Sequence, residues 1–165
     1  MELARIEWAL AQAFTACGIA PLTPAAIAQV DWDRAGIEFA PSLATLDVFT
    51  NATAIWSALV AGYTPPPAQR LPERAALMVW RKDFTPCFRT VDMVERSAIA
   101  QMLAGNSFAT LCAALVERSG ETAGVAGAGA LLGLWVADGL IVATHAHSPE
   151  CRTWPMVMLS CGPVR

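Results

Sequence analysis

The sequence predicts an α+β protein: an N-terminal helical part followed by a winged helix-turn-helix module with a small antiparallel sheet. Three observations predict it. Met78 to Val142 run in the order strand, turn, strand, helix, tight turn, helix, helix, turn, strand. The residues before them carry apolar positions at helical spacing. Between the two lie Pro65, Pro66, Pro67 and Pro72, which cannot donate to a helix or sheet. The expected division is 1–64 helical, 65–74 a proline-rich linker, 75–144 the winged-helix module and 145–165 a tail.

The first helix is expected from Glu2 to Cys17, where Leu3, Ile6, Leu10, Ala13 and Phe14 share a face and Gly18 stops it. A second is expected from Leu22 to Val30, with Thr23 as N-cap and Pro24 at the first helical position. Asp31 to Pro41 holds Asp, Gly and Pro and reads as a loop. Ser42 to Leu59 reads as a third helical stretch, broken near Thr50-Asn51. Gly62 to Pro72 is extended.

Ala75 to Lys82 and Cys87 to Val91 read as two strands around Asp83-Phe84-Thr85-Pro86. Asp92 caps the next helix, with Glu95 at capping-box spacing, and that helix runs to Leu103 before Gly105. Ser107 caps a helix from Phe108 to Glu117. Ser119-Gly120 turns into the third, Glu121 to Ala137, which Asp138-Gly139 ends. Leu140 to Thr144 reads as a strand opening the wing, and Met156 to Leu159 alternate within the tail. Trp8, Trp32, Trp56 and Trp80 are equally spaced, but their flanks share no pattern and do not make a repeat.

An apolar share of 55% and a charged share of 15% exclude a disordered chain. The net charge of −3 disfavours a general polyanion binder. Five cysteines without a C-x-x-C pair fit a reducing compartment, and the N-terminus lacks a signal-peptide pattern, so a cytoplasmic protein is expected. The longest apolar run, Ala123 to Ala137, is short for a membrane span and diluted by glycine.

A winged helix commonly binds DNA through the second helix of its helix-turn-helix. Here the helix from Glu121 to Ala137 contains no Lys, Arg or His, and base and phosphate contacts come largely from such residues. A DNA-binding regulator is therefore the alternative reading. His145, His147, Glu150 and Cys151 could supply metal ligands, but no second cluster supports them, and a stand-alone metalloprotein is a further alternative. Cys87 and Cys112 lack a convincing base, so no catalytic residue is assigned.

The architecture also suits peptide capture, in which an extended chain adds to an open sheet edge. Val79, Trp80, Phe84, Phe88 and Val91 would give apolar contacts on the hairpin, and Val94, with Met93 and Ile99, would line the adjacent helix. Arg81, Lys82 and Arg89 would favour acidic peptide residues. The competing reading is that these aromatic and aliphatic residues form the core between hairpin and helices.

The run M-V-W-R-K-D-F-T-P-C-F-R-T-V-D, with L-A-G-N-S-F-A-T-L and L-L-G-L-W-V-A-D-G-L-I-V, resembles the C-terminal half of the HvfC family. Its members are partner proteins in the maturation of ribosomally made peptides. E-W-A-L-A-Q-A-F and L-D-V-F-T-N-A-T-A-I-W-S-A-L are similar in placement, so the resemblance extends to about Val142. It implies a PqqD-like fold of the RiPP recognition element type, binding the leader of a precursor peptide. It further implies a heterodimer with a TIM-barrel, multinuclear iron oxygenase that oxidises a peptide cysteine, as in 3-thiaglutamate biosynthesis. The iron would belong to that partner, with no cofactor in this chain.

Overall fold

The structure, a computed structural model, describes residues 1–146. It is α+β, and its elements run α1 (Glu2–Thr15), α2 (Pro24–Ile27), β1 (Ala35–Phe39), β2 (Ala44–Thr50), α3 (Ala52–Val60), β3 (Arg70–Lys82), β4 (Thr85–Val91), α4 (Met93–Leu103), α5 (Phe108–Ser119), α6 (Glu121–Ala137) and β5 (Ile141–Ala146). Two antiparallel sheets organise them: β2-β3-β4, and the pair β1-β5.

The three-stranded sheet separates two apolar cores. Alternation along β3 sends Leu77 and Val79 to one face and Ala76, Met78 and Trp80 to the other. On the first face Ile6, Ala9, Leu10 and Ala13 of α1 cover Val48, Leu77 and Val79, with Trp56 of α3 at the margin. On the second, Ala98, Ile99 and Met102 of α4, Leu111 and Leu115 of α5, and Leu131 and Trp135 of α6 form the larger core with β1 and β5. A strand buried on both faces reads as a continuous apolar run, and A-A-L-M-V-W is one.

The helical caps follow the sequence. The side chains of Thr23, Asp92 and Ser107 accept the amides of Ala26, Glu95 and Thr110 at 3.2, 2.7 and 3.2 Å. Gly120 turns α5 into α6 with a φ of 84°, which glycine adopts without penalty. Gly124 has a different reason. A Cβ there would lie 2.5 Å from the Val116 backbone, so α5 and α6 approach closely only across a glycine.

Four expectations change. Ser42–Leu59 is not one helix: its first half, A-T-L-D-V-F-T, is rich in β-branched and aromatic residues and pairs with β3, and α3 begins after Asn51. Asp31–Pro41 contains strand β1. Arg70–Arg74, expected in the linker, are already strand β3. The strand after α6 does not turn back as a wing on the hairpin, because β5 pairs with β1. The alternation at Met156–Leu159 lies outside the described residues. Among the described residues no helix is long and apolar enough to cross a membrane.

Candidate functional site

The β3–β4 hairpin turns through Asp83 and Phe84, Asp83 taking a φ of 54° that Asp tolerates better than most residues. Lys82 and Thr85 close this two-residue loop as a hydrogen-bonded pair. Every second pair then repeats the pattern: Trp80 with Cys87, Met78 with Arg89, Ala76 with Val91. The backbone groups of Phe88 and Thr90 therefore face away from β3. Pro86 stands on the same side, where a residue without N–H costs no ladder bond. Among the described residues β4 has no strand on that side, and Phe88 and Thr90 have no other backbone partner. The outer edge of β4 is an open edge of this sheet among the described residues.

Apolar side chains border that edge on both faces. Cys87 and Val94 are half-buried against the larger core. Phe88 is half-buried against the smaller one and meets Trp56 edge to face, ring centres 5.1 Å apart. Met93 projects into solvent at the start of α4. An extended chain laid along β4 would find donors and acceptors on the backbone and partly filled apolar margins above and below it.

Six apolar residues singled out in the sequence divide into three groups. Phe88 and Val94 flank the open edge. Phe84 is 88% exposed at the hairpin tip, away from the paired strands. Val79, Trp80 and Val91 are buried in the cores, and the Trp80 Nε1 donates to the Asp138 carbonyl at 3.1 Å. Val79 lies on the central strand, between Ala44 of β2 and Phe88 of β4, so it does not line an open edge and the peptide contact expected of it is corrected.

The three cations do not form a free basic patch. Arg81 and Lys82 are neighbours on a strand and so point to opposite faces. Arg81 NH1 donates to the carbonyls of Phe14 and Ala16 at 2.7 and 2.9 Å, capping the end of α1. Lys82 Nζ donates to the carbonyl of Ala137 at 2.9 Å, capping the end of α6. Arg89 is held from both sides: its NH1 and NH2 reach the Glu95 oxygens at 2.8 and 2.6 Å, and its Nε reaches Asp138 Oδ2 at 3.0 Å. Hydrogen bonding to Glu95, with Asp138 adding to it, raises the Arg89 pKa still further against its partial burial, so this residue is always charged. Selection of acidic peptide residues by these three heads has lost its geometric basis.

Glu95 is the residue that sequence reasoning assigned differently. Its position three after Asp92 suggested the second half of a capping box. Asp92 performs its half, but the Glu95 carboxylate turns inward, 5% exposed, to accept Arg89 and the Trp135 Nε1 at 3.1 Å. The network Arg89–Glu95–Asp138–Trp135 thereby ties β4 to α4 and to the end of α6. The only sequence-level signal was the presence of an acid beside an apolar helix face.

Burial, with the nearby charge of Asp33, pushes the Cys112 thiol above its usual range, which opposes a nucleophilic role. His145 lies on β5 opposite Gly36, and a side chain at Gly36 would collide with its imidazole. His147, Glu150 and Cys151 lie outside the described residues. Among the described residues no three His, Cys, Asp or Glu side chains are grouped to hold a metal. Comparison with protein-family models, curated proteins and solved structures gave no match.

Proposed function

We propose that this chain is an accessory, non-catalytic subunit that binds the leader of a ribosomally made precursor peptide by strand addition to β4. The observation that carries the reading is the unpaired outer edge of β4 with apolar margins on both faces. The hairpin β3–β4 followed by α4, α5 and α6 supports treating residues 75–144 as a PqqD-like recognition module, in which β5 pairs with β1 rather than forming a wing. In the HvfC-like reading its partner is a TIM-barrel, multinuclear iron oxygenase in a heterodimer, acting on a peptide cysteine in a pathway of the 3-thiaglutamate type. The work of this chain is then delivery: a held leader raises the effective concentration of the peptide's reactive end at the partner's iron.

Because Arg81, Lys82 and Arg89 are bound within the protein, the edge selects an extended segment with alternating apolar side chains rather than an acidic one. Gentle affinity purification from native cells, with mass spectrometry and iron analysis of the eluate, tests the reading. Recovery of an iron-containing TIM-barrel protein and a short precursor peptide supports it. Recovery of the chain with DNA, or alone with its own metal, replaces it with one of the two alternatives.

A further inference from the structure

The sheet β2-β3-β4 has a second outer edge, along β2, and α1 occupies part of it. The β2–β3 register sets Ala44, Leu46 and Val48 opposite Val79, Leu77 and Ala75. Those three β3 residues turn their backbone groups toward β2, since their neighbours are bonded to β4. Thr45, Asp47 and Phe49 therefore present their backbone outward. Glu2, in the first turn of α1, meets them there. Its Oε1 accepts the Phe49 N–H at 2.9 Å, and its Oε2 accepts the Thr50 N–H at 3.0 Å and the Thr50 hydroxyl at 2.6 Å. Arg5, one turn on, donates from NH1 to the Asp47 carbonyl at 3.4 Å.

Acceptors on the edge amides and a donor on the edge carbonyl are what a neighbouring strand supplies. Beside the uncovered part of the edge, at Ala44 to Leu46, runs a shallow groove of about 300 Å³ between β2 and α1, with Trp8 on its rim. The β2 sequence A-T-L-D-V-F-T is strand-prone, and an antiparallel edge of that kind is self-complementary about a twofold axis.

We infer that Glu2 and Arg5 are an edge lock: they occupy the β2 backbone groups that a further strand needs and keep β2 from pairing with β2 of a second copy of this chain. The lock goes beyond peptide capture. In combination with that reading, it also leaves β4 as the edge that accepts the leader.

The test uses the full chain without any peptide, so its outcome is independent of whether β4 captures one. The Glu2→Ala/Arg5→Ala variant is compared with the parent by amide hydrogen exchange over residues 45–50 and by sedimentation velocity over a concentration series. In dilute, unassociated protein, loss of charge-assisted hydrogen bonds is expected to speed exchange at Phe49 and Thr50 about tenfold. Self-association is expected to strengthen relative to the parent. Adding Thr45→Pro, which removes an outward N–H without touching a bond to β3, is expected to reverse the association. Should the alanine pair fold poorly, Glu2→Gln, which keeps one acceptor, is expected to give the same changes at smaller size. Parent-like exchange and sedimentation overturn the lock. So does faster exchange without association, which would make Glu2 a helix–sheet tether, and so does association that Thr45→Pro leaves intact.

Discussion

Glu95 accepts Arg89 twice and Trp135 once while being almost wholly buried. Removing one partner of a buried ion pair leaves the other desolvated and uncompensated. Glu95→Ala is expected to lower unfolding free energy by about 3 kcal/mol, read from urea denaturation. A loss below about 1 kcal/mol would mean that Asp138 alone satisfies the guanidinium. Charge reversal at Arg89 is correspondingly expected to unfold the protein rather than adjust peptide preference. Glu2, near the surface, gives stability a pH dependence. Burial raises its pKa, but the Thr50 hydroxyl, the amides of Phe49 and Thr50, and Arg5 together outweigh that and hold it below the usual carboxylate value of 4.5. A carboxyl lowered in the folded state stabilises above its unfolded value, and that contribution fades as pH falls through the folded value. The melting-temperature difference between the parent and Glu2→Gln is therefore expected to be largest near neutrality and to shrink as the pH falls below the ordinary carboxylate value of 4.5. A constant difference across that range would detach it from ionisation.

At the level of elements, the two edges and the centre of one sheet respond differently to the same substitution. Val79→Pro places proline on the central strand and removes a ladder bond from the buried interior, so cooperative unfolding is expected to be lost, as circular dichroism would show. Thr90→Pro acts on an outward N–H of β4. It is expected to keep the fold and to weaken capture of a co-purified peptide by at least about tenfold, measured by calorimetric titration. Equal affinity would move the site off β4. The hairpin, the three following helices and their caps were legible in the sequence, because each is specified locally by Asp92, Ser107, Gly105 and Gly120 and by the turn residues at Asp83-Phe84 between two strand-prone runs. Strands β1 and β2 were not. Their partners β5 and β3 lie far along the chain, and A-T-L-D-V-F-T beside a helical A-T-A-I-W-S-A-L has no turn signal other than Thr50-Asn51 to divide it. Phe88 and Val94 stood out in the sequence as apolar contacts, but which strand they border was not legible, because it depends on β2 pairing with β3. The fate of Arg81, Lys82 and Arg89 was not, since it depends on helix ends brought in from residues 14–16 and 137–138.

For the whole molecule, the proline segment joins α3 to β3 across a sheet that both sides share. Strand β2 precedes it and pairs with β3 after it, and α1 covers Leu77 and Val79. A fragment starting at Arg70 would expose these side chains, which are 0% exposed in the intact chain, to water. It is expected to behave as a collapsed, non-cooperative species that binds hydrophobic dye, and co-expression with residues 1–64 is expected to restore a cooperative transition. A fragment that melts cooperatively alone would show that the smaller core is dispensable.

The two neighbouring cations at the end of β3 have a consequence for cleavage. Phe84, 88% exposed, is by accessibility the natural first cut for a chymotrypsin-like protease. Such enzymes need several residues on each side of the bond to lie extended in their cleft, which demands local opening. Arg81 and Lys82 rivet this loop to the ends of two helices on opposite faces, so opening it means releasing both. Tyr63, 73% exposed at the start of the proline segment, carries no such double attachment and is expected to be nicked earlier, with mass spectrometry of a digestion time course giving the order. At this hairpin an exposed ring is not an exposed peptide bond.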